Sequence, residues 1–66
     1  MMREVDVPDD QLRVGDLVKV IGTWRRITAI RPYRGPYDFV IGLADTVPGV
    51  GFSLCRGQWT TRSEAT

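Results

Sequence analysis

The chain has 66 residues, and a chain this short buries only about 60% of its extended-chain surface, so it holds one small core rather than two. Leu, Ile, Val and Phe fill 18 of those positions, above the roughly one-fifth below which chains tend to stay disordered, which predicts a folded domain over residues 1–66. With no histidine, one cysteine, a net charge of +1 and no long apolar run, the composition argues against secretion, membrane spanning and internal disulfides. The default location is the cytoplasm, and so small a core leaves room for a partner subunit that extends it.

The start of the chain is acidic: Glu4, Asp6, Asp9, Asp10 and Asp16 face only Arg3 and Arg13. Residues 1–6 and 62–66 lack strong apolar anchors and read as frayed ends. Pro8-Asp9-Asp10-Gln11 suits a single helical turn, but Gly15-Asp16 follows too soon for a stable α-helix.

Leu17-Val18-Lys19-Val20-Ile21 is β-branched and lies between Gly15-Asp16 and Gly22-Thr23, the pattern of a strand that ends in a tight turn. Trp24-Arg25-Arg26-Ile27-Thr28-Ala29-Ile30-Arg31 follows at once, predicting an antiparallel hairpin. Its apolar residues break strict alternation, which predicts a twisted or bulged strand. Two prolines and a glycine make Arg31–Asp38 a loop. Phe39–Ala44 reads as a strand with Phe39, Ile41 and Leu43 on its core face. Asp45-Thr46-Val47-Pro48-Gly49 turns the chain, Val50–Cys55 alternates again, and Gln58-Trp59-Thr60-Thr61 closes as a short last strand. The predicted core is Val18, Val20, Ile27, Ile30, Phe39, Ile41, Leu43, Phe52 and Leu54. Trp24 is expected to plug the core or the barrel end.

Five short strands with turns between them predict an all-β fold without a stable α-helix, and the length suits a small barrel better than a sandwich. Two resemblances bear on this reading. Leu12-Arg13-Val14-Gly15-Asp16-Leu17-Val18-Lys19-Val20, followed by Gly22-Thr23-Trp24-Arg25-Arg26-Ile27-Thr28-Ala29-Ile30, resembles the opening of many SH3-like barrels. In those families a Leu-x-x-Gly-Asp-x-Val run enters the first strand and a Gly-x-Trp hairpin the second. The implied fold is a five-stranded SH3-like barrel. The stretch from Arg31 to Cys55 is similar to small uncharacterised proteins of actinobacterial phages, with a Pro-rich loop and a Gly-x-Ala-Asp-x-x-Pro-Gly segment. Those proteins carry no catalytic set, and the resemblance implies a phage-encoded protein acting on a host factor or within the virion.

Chemistry is sparse. General acid–base catalysis near neutral pH usually recruits histidine, and a serine or cysteine nucleophile needs a base beside it. Cys55 reads as a small buried side chain, while Asp38 and Asp45 sit beside turn residues, where aspartate caps turns. One cysteine and no histidine leave no zinc set, and Asp6, Asp9 and Asp10 lack calcium-loop spacing. Gly49-Val50-Gly51 has no following lysine to make a phosphate loop. The reading is therefore non-enzymatic, with no cofactor, no metal and no small-molecule substrate.

What remains is a basic block, Lys19, Arg25, Arg26, Arg31 and Arg34, with no acid between residues 17 and 37 and with Trp24, Tyr33 and Tyr37 interleaved. Arginine and tyrosine anchor protein interfaces, so Arg25, Arg26, Arg31, Tyr33, Arg34 and Tyr37 are the candidate contact residues for a protein partner or a second copy of the chain. The alternative is nucleic acid bound by the 19–37 segment, cations along phosphates and aromatics against bases. Because strands alternate faces, five charges in this stretch need not form one patch.

Overall fold

The computed structural model describes residues 1–47 and 50–65, so Pro48, Gly49 and Thr66 lie outside the described residues. The fold is all-β. Six strands form one antiparallel sheet: β1 (Met2–Pro8), β2 (Leu17–Val20), β3 (Thr23–Arg31), β4 (Val40–Val47), β5 (Val50–Cys55) and β6 (Trp59–Ala65), in the spatial order β1-β6-β2-β3-β4-β5. No α-helix occurs among the described residues, and a 3₁₀ turn at Asp9–Gln11 occupies the predicted single turn.

Two corrections to the sequence reading concern strand number and closure. There are six strands rather than five, and the sheet is not closed: β1 and β5 stand at its two edges. The added strand comes from the segments expected to fray. Residues 2–8 pair with 59–65 in unbroken register, from Met2 opposite Ala65 to Pro8 opposite Trp59. Val5 and Val7 turn toward the core while Glu4 and Asp6 stay exposed, the period-two pattern of a strand with one wet face.

The β2–β3 hairpin forms as predicted, but its tip is Ile21-Gly22 rather than Gly22-Thr23, since Val20 pairs with Thr23. Both tip residues have positive φ, 50° at Ile21 and 75° at Gly22, as the tight type I′ turn requires. Glycine takes that conformation freely, whereas a β-branched isoleucine is strained in it. The irregular spacing in β3 corresponds to a register shift between Ile27 and Ala29. Ahead of β2, the Asp16 side chain accepts the Arg13 N–H at 2.9 Å. Gly15 and Asp16 exchange backbone bonds with Ile27, 2.8 and 2.9 Å.

The core consists of Val7, Leu12, Val18, Ile27, Ala44 and Leu54, with Val5, Val20, Ile30, Ile41 and Phe52 packed against it. Phe39 and Leu43 do not belong to it. In β4 the small residues Gly42 and Ala44 are buried, while Leu43 and Ile41 are only partly so. The space above Gly42 is taken by the Ile30 Cγ2 and Leu54 Cδ1 methyls, each 3.7 Å from where a Cβ would stand. Bulk from β3 and β5 thus fills the room that β4 leaves. Asp45 and Thr46, expected in a turn, lie within β4. Trp24 is partly exposed and lies beneath the Lys19 ammonium, 5.7 Å from its ring centroid, rather than in the core.

One buried carboxylate joins opposite ends of this open sheet. Asp9, 4% exposed, follows β1 directly. Its Oδ2 accepts the Cys55 N–H of β5 at 3.0 Å, its Oδ1 accepts the Thr60 hydroxyl of β6 at 2.7 Å, and its own N–H donates to the Gln58 carbonyl at 3.0 Å. Removing the carboxylate strands the Cys55 and Thr60 donors. Asp9→Ala is therefore expected to cost about 2 to 3 kcal/mol in urea unfolding, while exposed Asp10→Ala stays within about 0.5 kcal/mol; equal unfolding midpoints for the two variants would show that Asp9 holds nothing. At the hairpin tip, Ile21→Asn relieves the left-handed strain and is expected to raise stability by about 1 kcal/mol, read as an upward shift of the thermal midpoint.

Candidate functional site

The six candidate contact residues do not share one surface. Arg25 lies directly opposite Val18 in the β2–β3 ladder, and Arg62 lies opposite Val18 on the other side, so both guanidinium stems run along the core-side face. Arg25 is half-buried, and its Nη1 has no hydrogen-bond partner among the described residues. Arg62 is bonded to Glu64 and to Asp16, the latter at 3.3 Å. Its pKa is raised above the ordinary arginine value, chiefly by the Glu64 hydrogen bond, so it stays cationic in a partly desolvated place.

Arg26, the next residue along β3, faces the opposite way and donates from Nη1 to the Gly15 carbonyl at 2.6 Å. Arg31 is held by Asp45 across the β3–β4 pair through two bonds, 2.9 and 3.1 Å. This is a fork-on-carboxylate geometry, and it gives Asp45 a role other than the turn cap expected for it. Lys19 pairs with Glu4 at 3.7 Å. The +5 block of the sequence is thus divided between two faces, and two of its five cations, Lys19 and Arg31, are matched by acids from β1 and β4.

The loop between β3 and β4 holds the other three candidates. Tyr33 is half-buried, its ring lies in the space that a side chain at Gly35 would fill, and its hydroxyl accepts the Tyr37 N–H at 3.4 Å. Tyr33 therefore shapes the loop. Arg34 is exposed, with no ion pair among the described residues. Tyr37 is 59% exposed and packs on Phe39, ring centroids 5.5 Å apart and planes inclined by 40°.

An exposed aromatic surface starts there and continues onto residues that the sequence reading placed elsewhere. Phe39 is 50% exposed and Trp59 63% exposed, and both line one open depression with Ser53, Arg56 and Gln58. The backbone fixes this corner: the Arg56 N–H donates to the Phe39 carbonyl at 2.7 Å, the Val40 N–H to the Tyr37 carbonyl at 3.1 Å, and Asp9 anchors both Cys55 and Thr60. Cys55 is half-buried and carries a free thiol. Trp59 was passed over because it opens a strand whose alternate residues, Thr60, Arg62 and Glu64, are polar, so period-two patterning gives it no face. The available signal was its place after the Arg56-Gly57 turn, within reach of the Tyr37 loop.

No family model matches the chain, and neither a curated protein nor a solved structure matches it. Among the described residues, no three Cys, Asp or Glu side chains gather as a metal ion would require, and no helix is long and apolar enough to cross a membrane.

The different settings of the arginines separate their structural parts. Arg34→Ala is expected to leave the thermal midpoint within the scatter of a surface change, about 0.5 kcal/mol. A loss as large as that of a core truncation, about 2 to 5 kcal/mol, would make Arg34 a structural residue.

Proposed function

We propose that this chain is a small non-enzymatic interaction module that presents Tyr37, Phe39 and Trp59, with Arg34 and Arg56 at the border, to a protein partner. The observation that carries the reading is the exposure of three large aromatic side chains at one corner of the sheet, two of which line one open depression. Large side chains that stay in water cost solvation free energy unless a partner covers them, and aromatic residues with arginine at the rim are what protein interfaces concentrate. The β-scaffold fits this role because the corner is pinned by backbone bonds, so little ordering is needed on contact.

The resemblance of Leu12–Ile30 to the opening of SH3-like barrels supports the same class. The resemblance of Arg31–Cys55 to phage proteins covers Tyr37 and Phe39 and adds a host factor or virion component as the kind of partner, met in the cytoplasm. Nucleic acid is favoured less: Arg25 and Arg26 face opposite sides of β3 and Arg31 is matched by Asp45, so the cations do not line a single track for phosphates.

The test compares immobilised wild-type protein with the double variant Phe39→Ala, Trp59→Ala in a cell lysate. Because both side chains are half or more exposed, the variant is expected to melt like the wild type and to lose a partner that the wild type retains. Equal retention by both proteins refutes this surface. A rise in anisotropy of labelled DNA or RNA that fades steeply with salt would instead assign the function to the arginines.

A further inference from the structure

The sheet has two edges, and they are built differently. β1 carries Arg3, Glu4 and Asp6 and ends in Pro8, the charges and proline with which natural edge strands resist the addition of another strand. β5, Val50-Gly51-Phe52-Ser53-Leu54-Cys55, has neither charge nor proline. It pairs only with β4, and Gly51 and Ser53 are exposed.

The Asp9 contact shows which way the backbone of β5 is turned. The Cys55 N–H points off the edge, since it donates to Asp9 Oδ2 rather than into the sheet. The register irregularity of the β4–β5 pair falls between Val40 and Gly42 of β4, opposite the consecutive residues Cys55 and Leu54, so β5 itself runs regularly. Residues two apart in a strand turn their backbone groups the same way, so Gly51 and Ser53 present N–H and C=O off the same edge. The Ser53 carbonyl takes one long contact from the Cys55 thiol, 4.0 Å, which leaves its second lone pair, and among the described residues no carboxylate holds the Gly51 or Ser53 N–H as Asp9 holds that of Cys55.

We propose that β5 pairs antiparallel with β5 of a second copy of this chain about a two-fold axis at Phe52. Gly51 of each copy then stands opposite Ser53 of the other. A register centred on Ser53 would set Gly51 against Cys55, whose N–H is already occupied by Asp9, whereas the Phe52-centred register uses only N–H groups that Asp9 leaves free, each pair exchanging both of its hydrogen bonds. An uncharged strand is its own complement, because the two-fold axis repeats every group and brings no like charges into opposition. The same axis makes Phe52 the close central pair, adding an aromatic contact to the backbone bonds. This edge meets the aromatic corner at Ser53, which also lines the Phe39 and Trp59 depression, but the pairing itself uses the backbone of Gly51 and Ser53 and not the aromatic side chains of that corner.

The experiment is sedimentation of the wild-type protein over a concentration series, with amide exchange measured residue by residue in the same samples. The expected result is a monomer–dimer equilibrium in which protection of the Gly51 and Ser53 amides rises with the dimer fraction. Ser53→Lys and Ser53→Glu, each with an unchanged melting midpoint, are expected to sediment as monomers and to dimerise when mixed, since the two positions lie on a diagonal that long side chains span. A wild-type monomer at every concentration overturns the proposal. So does a dimer whose Gly51 and Ser53 amides exchange freely, which places the interface elsewhere. Protection of those amides only on addition of a foreign extended peptide assigns the edge to another occupant and overturns it as well.

Discussion

The fold depends on how an open sheet keeps its two ends together, and the Asp9 carboxylate is the group that does it. Strand pairing runs from β1 to β5 without joining them, yet Asp9, one residue past β1, reaches the last residue of β5 and the second of β6. A buried carboxylate is tolerable only when its oxygens accept hydrogen bonds, since an unpaired buried charge costs several kcal/mol. Here each oxygen has a donor, and each donor belongs to a different strand. The group that would be most costly to bury alone is therefore the one that ties β1, β5 and β6 into one corner.

A polar solution recurs along the inner side of β6. Its core-side residues are Thr60, Arg62 and Glu64, held by Asp9, Asp16 and one another. A chain of this length has few large apolar residues to distribute, and they go to β2, β3 and β5, where Val18, Ile27 and Leu54 are almost fully buried. The β1–β6 ribbon is fastened instead by its own ladder, by Val5 and Val7, and by these charge-assisted bonds. Such bonds add geometric specificity more reliably than net stability, so they set where the ribbon sits while the apolar cluster supplies the driving force.

This division explains which parts of the structure were legible in the sequence. β2, β3 and β5 announce themselves because β-branched and aromatic residues there coincide with burial, and the Gly22 turn and the β3 irregularity follow from the same pattern. β1 was hidden by its charge: Val5 and Val7 alternate with Glu4 and Asp6, but two valines among acids read as a loose end. The length of β6 was hidden because its inward side is polar, so no hydrophobic period exists to find. The phase of β4 was misread for a different reason. Size suggested that Phe39 and Leu43 go inside, but on the inner side Ile30 and Leu54 already stand over Gly42, and only the assembled neighbours show that. The candidate site was legible by composition and not by place: arginine and tyrosine marked the loop, but the ladder sends Arg25 and Arg26 to opposite faces, and Trp59 comes to Phe39 from the far end of the chain.

Two sets of exposed groups on this sheet call for different partners. Phe39, Tyr37 and Trp59 offer apolar area, which gains free energy against any surface of matching shape and therefore suits a partner selected by its contours. Gly51 and Ser53 offer backbone donors and acceptors, which water satisfies in the free chain and another extended chain satisfies at a fixed register. Asp9 stands where the two regions meet, because it occupies the Cys55 N–H that would otherwise continue the open edge into the aromatic corner. The carboxylate that joins the ends of the sheet thereby also sets how far a strand can be added to β5, and leaves the corner beyond it to side-chain contacts.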